Sequence, residues 1–298
     1  MMIEAKNATT NNHYVKRRSQ IKSIWLRYKK NKLAMAGLML MLFLIVVAIM
    51  APLFADYEED AVSQNMINRL QSPNSEHIFG TDHYGRDMFA RIVFGARVSL
   101  SVGLASVAIS SILGIVIGAI AGYYGGMIDN VLMRTMDILL AIPSIFLAIA
   151  IVAALGPGLL NLLIAMSISY TPGFSRIVRS SVLSIKNQEF IEAARACGTK
   201  NNRIIMKHII PNAIGPIIVQ VTLSIARAII HVSSLSFLGL GIKPPMPEWG
   251  SMLAEGKPLM RDNQYLVIIP GIAIVLSVMA LNLIGDGLRD AIDPRLKQ

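Results

Sequence analysis
Leu33-Ala-Met-Ala-Gly-Leu-Met-Leu-Met-Leu-Phe-Leu-Ile-Val-Val-Ala-Ile-Met-Ala-Pro-Leu-Phe-Ala55 contains no charged side chain. About 20 apolar residues in a helix cross the roughly 30 Å hydrocarbon core of a bilayer, so this run is long enough to span it. The preceding residues 1–32 hold nine Lys and Arg against the single acid Glu4. A secretory signal would have a shorter apolar centre and a small-residue cleavage site. The long basic lead and the Ala51-Pro52 ending therefore predict a retained anchor over 33–55.

The rest of the chain extends this reading. Of the 298 residues 54% are hydrophobic and only 15% charged, with mean hydropathy +0.55. Soluble domains carry about 25% charged residues, so a polytopic membrane protein is expected. A second apolar stretch, 98–121, is rich in small residues (Gly103, Ala105, Ser106, Gly114, Gly118) that suit close helix approach in lipid. Residues 138–175 carry no charge but are too long for one span, and Gly156-Pro157-Gly158 divides them into helices of roughly 133–155 and 159–175. Further spans are expected over about 210–235 and 264–285, which makes six.

Charge sets the orientation. Residues 1–32 account for eight of the ten net positive charges, and a basic tail leading into a span stays in the cytoplasm. The 56–97 loop has seven acids and four bases, and segment 176–207 has seven Lys and Arg against Glu189 and Glu192. Alternation through six spans puts 56–97 outside, 176–207 inside and both termini in the cytoplasm. This topology explains the basic tail better than nucleic-acid binding does. Trp25, Tyr28, Tyr123, Tyr124, Trp249 and Tyr265 fall near span ends, where an aromatic belt is expected.

Little in the chain suggests catalysis. It has no G-x-x-x-x-G-K-[ST] loop for nucleotide phosphates, no H-E-x-x-H and no G-x-S-x-G. The five His are scattered, the single Cys197 permits no intrachain disulfide, and no metal site is expected. The 17 Met read as core filling. A proton-coupled secondary transporter would need acids near mid-membrane, where only Asp137, at a helix start, comes close.

The cytoplasmic stretch Asn187-Gln-Glu-Phe-Ile-Glu-Ala-Ala-Arg-Ala-Cys-Gly198 can form a short helix over 189–197, with Asn187 as candidate N-cap and Gly198 just past its end. Phe190, Ala193, Ala194 and Cys197 give it a shallow surface over which a partner's groove could close, and an ordinary solvated helix is the alternative. Glu192-Ala193-Ala194, Gly198 and then Pro211 resemble the EAA signature of ABC-importer permeases. His208 and Ile210 depart from the general pattern. Three further stretches, Phe79-Gly-Thr-Asp-His-Tyr-Gly-Arg-Asp87, Ser236-Phe-Leu-Gly-Leu-Gly-Ile-Lys-Pro-Pro245 with Trp249-Gly250, and Gly285-Asp-Gly-Leu-Arg-Asp-Ala-Ile-Asp-Pro-Arg295, are similar to the second permease of the dipeptide/oligopeptide/nickel importers, the DppC/OppC type. The resemblance covers about residues 20–298.

The resemblance implies an all-α, type I ABC importer permease in a bacterial or archaeal cytoplasmic membrane. Its partners would be a homologous permease, two cytosolic ABC ATPases and an extracytoplasmic solute-binding protein. ATP and magnesium would reside on the ATPases, with no cofactor in this chain. Phe190, Glu192, Ala193, Ala194, Gly198 and Pro211 would couple to an ATPase. The expected organisation is a cytoplasmic tail 1–32, a first span 33–55, an outer loop 56–97, a five-helix core 98–285 with a coupling segment 176–210, and a tail 286–298. Peptides are the expected substrate, with nickel or glutathione as alternatives on the same scaffold.

Two charged groups stay open in function. Arg227 and His231, i,i+4 on one face of the fifth span, either line the translocation path or serve helix pairing. Asp82, Arg86 and Asp87 on the outer loop either contact the binding protein or pair among themselves. Asp286 and Arg289, at i,i+3, are candidates for a further local pair.

Overall fold
The computed structural model describes residues 22–292, so the beginning of the basic tail and the end of the C-terminal tail lie outside the described residues. Helix α1 covers residues 22–30, and Asn31 interrupts it and caps α2 (Lys32–Ile49), its side chain accepting from the Ala34 N–H at 3.1 Å. The remaining helices are α3 (Ala51–Phe54), α4 (Met88–Tyr124), α5 (Gly126–Leu140), α6 (Ser144–Leu155), α7 (Leu159–Ile185), α8 (Glu189–Ala196), α9 (Asn201–Ile204), α10 (Ile210–Phe237), α11 (Trp249–Gly256) and α12 (Tyr265–Ile292). Among the described residues the protein is all-helical apart from an isolated antiparallel bridge, Thr81 to Asp87, which closes the loop before α4.

Among the described residues, four helical stretches are long and apolar enough to cross a membrane: Lys32–Ile49, Met88–Tyr124, Asn201–Phe237 and Tyr265–Ile292. Helices α5 and α6 make a fifth if the pair, bent by 85°, counts as one span. The break replaces the continuous helix expected over 133–155. Its cause is Pro143, which has no N–H to donate and whose ring crowds the preceding turn. Helix α7 is long enough to span but diluted by polar residues. Ser167, Ser169, Tyr170 and Thr171 are buried against its neighbours, so it is a core helix of the bundle.

The bundle closes on small residues. Gly114, Gly118 and Gly122 fall four apart on α4, and α7 lies directly on them. A Cβ on Gly122 would sit 2.9 Å from Val182 Cβ, and one on Gly114 or Gly118 would collide with Phe174 or the Ser175 carbonyl. Without hydrophobic drive between helices in lipid, such backbone approach supplies the packing. Likewise Gly37 on α2 meets Leu283 of α12, and Gly287 of α12 meets Ala34 and Tyr28.

Three of the aromatic residues expected in a belt are core residues instead: Tyr28, Trp249 and Tyr123, whose hydroxyl donates to Asn201 Oδ1 at 2.8 Å. Tyr28 is buried and donates its hydroxyl to the Ala34 carbonyl at 3.0 Å. Trp249 is buried against Gly95, its indole N–H donating to the Ile92 carbonyl at 3.1 Å. Each ring satisfies its polar atom inside the protein, which removes its reason to sit at the headgroups. Asp286 and Arg289 are both exposed and form no ion pair with each other among the described residues.

Candidate functional site
On the loop side of α4 the charged residues turn inward. Asp82 accepts from Arg86 Nε at 2.6 Å and from Arg91 at 2.7 Å, and Glu255 of α11 accepts from the same two guanidinium groups at 2.7 and 3.0 Å. Asp82, Arg86 and Arg91 are at most 3% exposed. Of the two alternatives for the outer-loop residues, the geometry therefore favours pairing. Asp82 and Arg86 present no charge to a docking protein, and they tie the 56–87 loop to α4 and α11. Asp87 accepts from the Ala90 N–H at 2.8 Å as the cap of α4 and meets His77 Nδ1 at 2.7 Å. Arg91 and Glu255 were not singled out from the sequence. The available signal was a charge inside or beside an apolar helix, which needs a partner somewhere.

Asp82, His83 and Glu255 also bring ligand atoms within 4.8 Å of one another. Both carboxylates already neutralise a guanidinium each, so the electrostatics do not favour a further cation there.

A second buried acid holds α11. Glu248 is fully buried and accepts from the backbone N–H groups of Gly250 (2.9 Å) and Ser251 (2.8 Å) and from the Ser99 hydroxyl (3.1 Å). Burial pushes its carboxyl above the ordinary glutamate range, against the opposing pull of those donors. The folded state thus binds this proton more tightly than the unfolded chain does. The resulting stabilisation is fully present below the ordinary value of about 4.3 and is lost as pH rises through the raised value. Glu248→Gln, which keeps an acceptor for the cap, is expected to flatten that dependence. Thermal midpoints of wild type and variant, measured from pH 4 to 8, should converge at the acid end and separate in favour of the variant as pH rises.

Inside the bundle Arg227 and His231 belong to a longer feature. His231 Nδ1 lies 2.9 Å from the Tyr170 hydroxyl of α7, with the rings stacked 5.7 Å apart. Arg227 donates to Ser224 Oγ at 3.2 Å, and Gln220 reaches the same hydroxyl at 3.3 Å. Gln220, Ser224, Arg227 and His231 are spaced i, i+4, i+7, i+11, one stripe along α10. Arg227 as a whole is exposed in this chain. Tyr170 has no positional signal in the sequence; only packing brings α7 to this stripe.

At the opposite end α8 lies across the bundle. Gln188 occupies the N-cap position, one residue past the expected Asn187. Ile191 is fully buried, Ala194 is half-buried against the bundle, and the Arg195 guanidinium stacks 5.3 Å from the Tyr123 ring at the end of α4. Phe190, Glu192, Ala193 and Cys197 are exposed, and Phe190, Ala193 and Cys197 share one face at i, i+3, i+7. Ala194 thus belongs to the inner side of the helix. Gly198 has φ +72°, which lets Thr199 N–H bond back to the Ala194 carbonyl at 3.1 Å, with open space around it. Pro211 stands in the first turn of α10, and the helix before it widens into a π-turn over Ile205–Ile209. That widening suits a position where one backbone donor is missing.

Comparison with known proteins places this arrangement. Residues 114–298 match the family described as binding-protein-dependent transport system inner membrane component, and residues 19–73 match the N-terminal transmembrane domain of oligopeptide transport permease C. A dipeptide transport system permease protein of Alkalihalophilus pseudofirmus is 52% identical over 90% of this chain and 88% of that protein. A glutathione transport system permease protein of Pectobacterium atrosepticum is 42% identical over 94% of this chain and 93% of that one. An inward-facing structure of the MetNI methionine ABC transporter shares the fold, with TM-score 0.56 at 18% identity, covering 69% of this chain and 98% of the solved one.

Proposed function
This chain belongs to the binding-protein-dependent transport system inner membrane components, multi-pass permease subunits of ABC transporters that are not themselves catalytic, and on that premise we propose that its transporter carries peptides into the cytoplasm. The observation that carries the substrate class is the 52% identity to a dipeptide permease over nearly the whole of both chains. The glutathione permease at 42% identity supports a second reading, import of a modified tripeptide on the same scaffold.

The proposed topology has six spans: α2 with α3, α4, the bent α5–α6 pair, α7, α10 and α12. Both termini and the segment 176–210 face the cytoplasm, and 56–97 faces outward. The seven basic residues of 176–207 and the acidic balance of 56–97 support this arrangement. The proposed assembly adds a homologous permease, two cytosolic ATPases that bind ATP and magnesium, and an extracytoplasmic solute-binding protein.

In this reading α8 is the coupling helix, and its exposed Phe190–Ala193–Cys197 face seats in an ATPase groove. Buried Ile191 and the Arg195–Tyr123 stack join the helix to α4, so displacement of α8 moves the bundle. Nucleotide shifts the inward- and outward-open states only through its different affinity for them. The α10 stripe with Tyr170 lines the path, since a polar row on a spanning helix is stable only against water or protein. Arg227→Ala is expected to lower peptide uptake by about tenfold, equivalent to roughly 1.4 kcal/mol of barrier, with assembly unchanged. Unchanged uptake in the assembled variant removes Arg227 from the path.

Uptake of labelled di- and oligopeptides, glutathione and nickel, in a strain lacking the gene with and without complementation, tests the substrate class. Complementable loss of peptide uptake supports the proposal; loss of nickel uptake alone, or of none, overturns it.

A further inference from the structure
A cavity of about 470 Å³ opens between the end of the first span and the start of α4. Its apolar wall includes Ala55, Phe94 and Val98, and its polar lining is Arg97, Asp56 and Tyr57. The cavity sits at the membrane border. Helix α2 rises roughly 27 Å over its 18 residues before ending at Ile49, and the uncharged part of α4 begins at Val98. Both walls precede the matched transport module 114–298, and the one from residues 52–57 belongs to the matched N-terminal stretch 19–73.

The charges around the cavity are complementary to a zwitterion. Arg97 is exposed and makes no side-chain hydrogen bond or ion pair among the described residues, which separates it from Arg86 and Arg91, both buried and paired. Asp56 lines the same cavity without pairing to it, and Glu58 and Glu59 follow in the turn that Asp56 caps. The Tyr57 ring packs edge-on against Phe94 at 5.1 Å, closing the cavity's apolar side. A cation and a group of acids at headgroup level, above an apolar wall continuous with two spanning segments, match a phosphate and an ammonium carried on acyl chains.

We propose that this cavity binds one outer-leaflet zwitterionic phospholipid with a primary ammonium, its phosphate on Arg97 and its ammonium on Asp56. Because this places 56–97 outside, the assignment rests on the topology proposed above.

The test is native mass spectrometry of the complete, delipidated transporter titrated with palmitoyl-oleoyl phosphatidylethanolamine, phosphatidylcholine or phosphatidylglycerol, and separately with free phosphoethanolamine. Wild type should retain phosphatidylethanolamine in preference to the other lipids and should not retain the free headgroup. Arg97→Gln should weaken that retention about fivefold, the share of one basic residue at a lipid surface. Asp56→Asn keeps an acceptor for the turn and should erase the preference over phosphatidylglycerol, which gives a second readout if Arg97→Gln does not assemble. Equal retention of all three lipids, retention unaffected by either substitution, or binding of the free headgroup overturns the proposal. So does a disulfide between Val98→Cys and a cysteine in the companion permease, which would mean that protein fills the cavity. A membrane-impermeant maleimide applied to intact cells carrying Arg97→Cys with Cys197→Ser separates the two levels. Labelling keeps the outward topology whatever the lipid result, and no labelling, with labelling restored on permeabilisation, overturns the topology itself.

Discussion

Asp82→Ala is expected to destabilise the protein by about 3–5 kcal/mol, a large share of the roughly 5–15 kcal/mol that holds a folded domain together. The reason lies in the geometry of the charged cluster between the 56–87 loop, α4 and α11. Asp82 lies within 2.7 Å of both Arg86 and Arg91, and all three side chains are almost wholly removed from solvent. Without the carboxylate, two guanidinium groups share Glu255 alone, and one positive charge is left buried without compensation. Two buried atoms of the cluster, Arg91 Nε and Glu255 Oε1, already lack a protein partner, so little spare hydrogen bonding exists to absorb the loss. The matched double variant Asp82→Leu with Arg91→Met removes one charge of each sign and leaves the Arg86–Glu255 pair. It should therefore be milder than Asp82→Ala. Folded protein recovered from membranes and the thermal midpoint of the purified transporter measure both. A double variant worse than the single would show that packing, rather than charge balance, dominates the cluster.

Ala193→Trp and Gly198→Val are expected to abolish peptide uptake while the chain still inserts and assembles. Ala193 is exposed on the outer face of α8, so an indole there meets no residue of this chain but obstructs a groove closing over Phe190, Ala193 and Cys197. Gly198 acts differently. Its φ of +72° is a left-handed conformation that a β-branched residue adopts only with strain, on the order of 1–3 kcal/mol. Valine would thus release the turn that ends α8 and tilt the coupling face. Ala194→Trp serves as the contrast. Half-buried against the bundle, it should lower thermal stability as well as uptake, whereas Ala193→Trp should leave stability unchanged. Normal uptake in an assembled Ala193→Trp transporter would sink the coupling assignment.

Much of this protein is legible in the chain because a bilayer imposes simple demands. An uncharged run such as 33–55 must cross or be buried, basic segments such as 176–207 mark one side, and the order of motifs around Glu192-Ala193-Ala194 points to the family. Small residues on α4 already implied close packing, since in lipid, without a hydrophobic drive between helices, close van der Waals approach helps bring them together. These properties depend on local composition and spacing, which one dimension preserves.

Other properties depend on which residues meet, and there the tertiary structure decided. Glu255 lies more than 160 residues from Arg86 and Arg91, yet completes their charge balance. Asp82 and Arg86 resemble a surface pair in the sequence, and only the closing of α11 over the loop makes them buried. Trp249 and Tyr28 look like belt aromatics until the glycines opposite them, Gly95 and Gly287, let them enter the core. Tyr170 meets His231 only because α7 packs beside α10. Ala193 and Ala194, adjacent and chemically identical, differ in exposure because the bundle covers one face of α8 and reaches only the second of them. Sequence alone determined what each segment had to avoid, water or lipid; the three-dimensional packing determined which partner relieved each buried charge, ring and polar group, since desolvation cost is set by the neighbours a residue has in space.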